Sequence, residues 1–107
     1  MTIDLPQPVR AAIDAANASD TDAFLATFPH DGVVDDWGRE FAGHDEIREW
    51  SDREFIGVKV HLTVTQVTIE DVNVVVTAQV GGDGFNGPSH FTFQVEGGHI
   101  TRMTISA

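Results

Sequence analysis

Near residue 58 the hydrophobic pattern of this chain changes period, and that change restricts the fold more than any other feature of the sequence. In the segment just before that point apolar residues recur at helical spacing, and beyond it they alternate. Val58, Val60, Leu62 and Val64 alternate with Lys59, His61 and Thr63, which is the period of a half-buried strand. Val67 and Ile69 continue in the opposite phase, so a β-bulge is expected near Thr65 and Gln66, and bulges bend sheets. Further strands are expected at 74–80, 89–95 and 99–106. They are separated by a turn at Glu70-Asp71-Val72-Asn73, a flexible glycine-rich loop at 81–88 and a Gly97-Gly98 hairpin turn.

The first half reads as three helices and a hairpin. Leu5, Val9, Ala12, Ile13 and Ala16 form one apolar stripe, with Pro6 and Pro8 tolerated in a first turn, so helix one is expected over 6–17. Ser19 and Asp22 are spaced as a capping box ahead of a short helix carrying Phe24, Leu25 and Phe28 and stopped by Pro29. A strand at 32–37, a turn at Gly38 and a short return strand at 39–42 follow, closed by Gly43. From His44 to Glu54, acids at the front and arginines further on suit a helix dipole, with Ile47 and Trp50 on one face.

Length and composition then exclude whole classes of function. The 107 residues suffice for one domain and one core. No run approaches the roughly 18 apolar residues of a membrane span. The opening Met1-Thr2-Ile3-Asp4-Leu5-Pro6 has neither a basic region nor an apolar signal core, so the cytoplasm is the expected location and a membrane is not an expected partner. A net charge of -11, with one lysine and five arginines, repels phosphate backbones and argues against nucleic acid. Many of the acids fall between Asp31 and Glu54, where a solvated acidic surface accounts for most of them. With no cysteine there is no thiolate chemistry. The five histidines, His30, His44, His61, His90 and His99, show no HxxxH or HxH spacing, so no metal and no cofactor is expected. Gly81-Gly82-Asp83-Gly84 lacks the lysine and following helix of a phosphate loop, and no nucleophile elbow occurs.

Three segments in order carry a family resemblance. Phe24-Leu25-Ala26-Thr27-Phe28-Pro29-His30-Asp31-Gly32-Val33-Val34-Asp35-Asp36 follows the acidic turn Asn17-Ala18-Ser19-Asp20. Phe41-Ala42-Gly43-His44-Asp45-Glu46-Ile47-Arg48-Glu49-Trp50 forms a glycine-led third helix, and Phe91-Thr92-Phe93 with Gly98-His99-Ile100-Thr101-Arg102-Met103 a closing hairpin. Together they resemble the nuclear transport factor 2-like superfamily, in its SnoaL-like and ketosteroid-isomerase-like branch, over nearly the whole chain. The resemblance implies an α+β fold spanning 1–107 as a single domain. Three helices from the N-terminal half would pack on a curved antiparallel sheet, forming a cone around a small-molecule pocket. It also implies pairing of the sheet with a second copy, a homodimer.

Within that resemblance Asp36 falls at the place of the isomerases' catalytic aspartate, where it would move a proton between carbons next to a carbonyl. Strand parity puts Val34 and Asp36 on one face, so Asp36 faces the core if Val34 does. The alternative is a solvated strand-end aspartate bonded to the Trp37-Gly38 turn. Ser89, Phe91 and Phe93 share one strand face and are expected to line the pocket with Val34 and Trp50, although plain core packing also explains the three aromatics. His90 falls on the polar phase and would join Ser89 in the pocket only if a bulge turned it inward. The isomerases' oxyanion donors are not matched: Ala12 and Ser89 stand at those positions, and the chain has no tyrosine. An Asp-Arg-Asp arrangement like that of the epoxide-hydrolase relatives would need Asp36 with Arg39 or Arg102, which spacing does not by itself support. Three functions therefore remain open: a proton-transfer enzyme acting on a small, largely apolar molecule through Asp36, a module that binds such a molecule without converting it, and an assembly domain.

Overall fold

The computed structural model describes residues 5–107; the first four residues of the N-terminal reading lie outside the described residues. Helix α1 (Gln7–Asn17) starts behind Pro6 and buries Val9, Ala12, Ile13 and Ala16. The side chain of its last residue, Asn17, pairs reciprocally with the backbone of Leu62, accepting from the amide at 2.7 Å and donating to the carbonyl at 2.9 Å. Helix α2 (Thr21–Ala26) is capped by Asp20, whose carboxylate accepts from the Ala23 amide at 3.1 Å. The cap is thus one residue later than the expected Ser19, which instead takes a left-handed conformation (φ 57°) to turn the chain between the helices.

Strands β1 (Val33–Asp36) and β2 (Arg39–Ala42) form a hairpin over a two-residue turn, Trp37-Gly38, with φ of 55° and 88°. Both residues are left-handed, as the tight turns that match strand twist require. Helix α3 (His44–Glu54) follows Gly43 at its N-cap and buries Ile47, Trp50 and Ser51. Its end winds into a 3-10 turn (Ile56–Val58), where Gly57 approaches Asp52 so closely that a Cβ would lie 1.7 Å from the Asp52 carbonyl oxygen. Lys59 then turns left-handed (φ 57°). The alternation read from Val58 onward therefore becomes a strand only at His61, because the first residues of that run are spent closing the helix.

The second half is a meander of β3 (His61–Glu70), β4 (Asn73–Gly81), β5 (Gly87–Glu96) and β6 (His99–Ser106). The expected bulge is present: the β3–β4 register skips Thr65 between Val64 and Gln66. A second, not foreseen, lies in β6, where Gln94 pairs with Arg102 but Val95 with Ile100. At each bulge the extra threonine donates its hydroxyl to a facing carbonyl, Thr65 to Thr77 and Thr101 to Gln94.

The six strands form one curved sheet in the order β2-β1-β6-β5-β4-β3. It is antiparallel throughout except where β1 meets β6, which run parallel, so the sheet is mixed rather than purely antiparallel. The fold is α+β, with the helices packed against one face around Val34, Val76, Phe93, Ile100 and Met103. No described helix is long and apolar enough to cross a membrane.

Candidate functional site

The hairpin, α3 and the sheet meet at one end of the core, and a cavity of ≈ 80 Å³ lies between them. Its sheet side is a row of neighbours across three strands: Asp36 on β1 pairs with Ile105 on β6, and Ile105 with Phe91 on β5. Trp50 and Phe55 close it from the helix side, their rings stacked at 4.9 Å and 22°. Val58 and Gly84 border it from the two loops, with the Val58 methyls against the glycine. The mouth carries two exposed aromatics, Trp37 on the hairpin turn and Phe85 on the 82–86 loop, at 62% and 59% relative exposure.

Asp36 occupies the mouth end of this row with its side chain only 15% exposed. Its Oδ2 accepts from the Trp50 indole N–H at 3.0 Å and from Arg39 Nη2 at 2.7 Å, while among the described residues no donor reaches Oδ1. Arg39 also grips Glu54 with both ends of its fork, at 2.9 and 2.8 Å. The result is a carboxylate–guanidinium–carboxylate trio in which Asp36 and Glu54 line the cavity and Arg39 ties them together from outside its wall. Hydrogen bonding from Arg39 is the main cause that holds the Glu54 carboxyl below the usual glutamate range, with partial burial opposing it. The same bonds raise the Arg39 guanidinium further above its ordinary value.

Adjacent acids on β1 serve opposite faces, as strand geometry dictates. Asp35 points to the outer face, where Arg102 bonds to it at 2.6 Å and to Glu40 at 2.7 Å. The bulge at Thr101 makes this possible. Ile100 and Arg102 would share a face in a regular strand, but the extra residue puts Ile100 in the core and Arg102 outside.

Of the residues singled out from sequence, Asp36, Trp50, Ser89 and Phe91 come together in the cavity wall. Ser89 is buried there, and its hydroxyl has no hydrogen-bond partner among the described residues. Val34 and Phe93 lie in the solid core instead, Phe93 stacked on Phe91 at 6.5 Å. His90 is on the opposite face, its Nδ1 3.0 Å from the Thr77 hydroxyl, because β5 runs regularly through this stretch and the bulge in its partner β6 faces it only later, at Gln94 and Val95. His30 and His44 come together unexpectedly, their rings 5.6 Å apart beside the start of α3. Among the described residues no group of three or more His, Asp or Glu side chains is placed to hold a metal ion.

Sequence reading missed Glu54. Two signals pointed to it: it lies one turn beyond Trp50 on the same helical stripe, and an acid in the last turn opposes the helix dipole. Phe85, a large aromatic within a glycine-rich loop, was a comparable sign.

The sequence profile of SnoaL-like domains matches residues 9–103. Among solved structures, a Sinorhizobium meliloti protein provisionally named a polyketide cyclase is 29% identical, with a TM-score of 0.85 and 96% of each chain covered. A Sphaerobacter thermophilus protein is 25% identical, with a TM-score of 0.78, covering 92% of this chain and 91% of its own. A Catenulispora acidiphila protein with a ketosteroid isomerase-like fold, in complex with trimethylamine, is 24% identical with a TM-score of 0.81, covering 97% of this chain and 87% of its own. No curated protein matches the sequence.

Proposed function

The chain belongs to the SnoaL-like domain family, and from that premise we propose that it takes a small, largely apolar molecule into the cavity and moves a proton on it through Asp36. The observation that carries this reading is the state of the Asp36 carboxylate: Oδ2 is anchored by Trp50 and Arg39, and Oδ1 is left without a donor at the cavity wall. A fixed carboxylate with one uncommitted oxygen can take a proton from carbon and return it to another. The electrons released would move to a carbonyl oxygen, for which the unpartnered Ser89 hydroxyl is the available donor. The cavity volume of ≈ 80 Å³ is far below the roughly 300–1,000 Å³ of drug-sized sites, so the reacting part of the substrate is small. In the Catenulispora protein the same fold is found in complex with a molecule as small as trimethylamine.

The test is exchange of α-protons of small ketones in deuterated water, followed by NMR. The expected result is exchange with the native chain and none with Asp36→Asn. Absence of exchange across the ketones tried would leave the second reading, a binding module, which Ala12 and the lack of any tyrosine favour because donors at an oxyanion are commonly worth about a hundredfold in rate. In that case Asp36→Asn retains ligand affinity. Pairing with a second copy through the outer sheet face, where Val75, Thr77, His90 and Thr92 stand without a covering helix among the described residues, completes the proposal; sedimentation equilibrium at several concentrations tests it.

A further inference from the structure

The cavity wall has an unusual charge character. Five aromatic side chains line it, Trp37, Trp50, Phe55, Phe85 and Phe91, together with the carboxylates of Asp36 and Glu54. No lysine, arginine or histidine is part of that wall. Aromatic faces carry the negative end of a quadrupole, so any ring face turned to a guest, such as those of the exposed Trp37 and Phe85, would act in the same direction as the carboxylates. Arg39 binds both carboxylates from behind and Arg53 adds a weaker attraction at Glu54, but neither guanidinium is part of the cavity wall. An anionic guest would meet the two carboxylates with no cationic group in the wall to receive it, and a neutral hydrocarbon would gain nothing from either acid.

We propose that the pocket selects an organic monocation, an alkylated ammonium head group, as its substrate class; this rests on the reading of the cavity as a small-molecule site. Alkylation matters because a bare ammonium loses strong hydration on entry and needs several acceptors in return. A methylated head spreads its charge over apolar surface that suits Val80, Ile105 and the ring faces. The cavity, ≈ 80 Å³ and open at its mouth, suits a small head group. The exposed rings of Trp37 and Phe85 at the mouth are placed to cover it once seated. A positive charge beside the reacting carbon would also stabilise a developing enolate, the role for which only Ser89 is otherwise present.

The test compares three probes sharing a trimethylated head: choline, its uncharged carbon isostere neohexanol, and the anion pivalate. Binding is read from the Trp50 indole N–H resonance by NMR, with Trp37→Phe assigning the two indole signals. The expected order is choline about tenfold tighter than neohexanol, with pivalate weakest. Glu54→Gln should weaken choline by a larger factor than neohexanol, since the uncharged probe feels only the altered wall, and Phe85→Ala, at an exposed position, should weaken choline in a chain that still folds. Neohexanol binding as tightly as choline would overturn the charge selection while leaving the small-molecule pocket intact. If no probe shifted the Trp50 signal, both would fall.

Discussion

At the scale of single residues, Asp36 has two separable duties. It accepts from the buried Trp50 indole, and it presents an ionisable oxygen to the cavity. Asp36→Ala strands the indole donor and should cost about 1–3 kcal/mol in urea unfolding. Asp36→Asn keeps an acceptor oxygen and should cost less than about 1 kcal/mol, while abolishing any proton transfer. Equal losses in the two variants would show that the indole bond does not anchor the site. Trp37 makes the opposite trade. It holds a left-handed conformation (φ 55°) that Asn adopts more easily, and its ring is largely exposed. Trp37→Asn is therefore expected to raise stability by about 1 kcal/mol by thermal unfolding, and to weaken ligand binding at the mouth.

Among elements, the join between α1 and β3 rests on very few polar atoms. Asn17 satisfies both backbone groups of Leu62 across 45 residues of sequence, fixing where the meander begins relative to the first helix. Asn17→Ala leaves a partly buried amide and carbonyl without partners and should cost about 2 kcal/mol in denaturant unfolding. Asn17→Asp, which keeps an acceptor but loses the donor, should fall between the two. The hairpin is held by two ionic trios on opposite faces, Asp36–Arg39–Glu54 toward α3 and Asp35–Arg102–Glu40 toward β6. The inner one ties β1 and β2 to the end of α3, and so sets the mouth of the cavity.

For the molecule as a whole, Glu54 contributes to the pH response of stability. Its carboxyl is held below the ordinary range, chiefly by hydrogen bonds from Arg39, so the folded state favours the ionised form. That contribution is complete above the unfolded value of about 4.3 and is lost as pH falls through the lower folded value. Glu54 is about one-third exposed, so solvent screens the pair and the effect is modest. Thermal unfolding from pH 6 down to 3 should show the native chain losing stability more steeply than Glu54→Gln over the lower end of that range. Parallel profiles would show that the Arg39–Glu54 pair does not stabilise the fold.

What the sequence determined by itself is what local chemistry controls. Helical stripes, alternation, the bulge at Thr65, the turn residues and the facing of Val34 and Asp36 follow from periodicity and φ preference, which neighbours along the chain specify. The family segments carried the architecture further, to helices on a curved sheet. Other features depended on contacts between elements distant in sequence. The parallel β1–β6 pair has no signature within either strand. The bulge at Thr101 showed only as a parity break between Ile100 and Met103. Only the assembled fold brought Glu54 to Arg39 and Asp36, since fifteen residues and a helix separate the arginine from its second acid. The same assembly separated Phe93 from the cavity while leaving Phe91 in its wall. Strand parity fixes which face a side chain occupies, but depth along that face depends on what the helices cover, and that is a property of the tertiary structure.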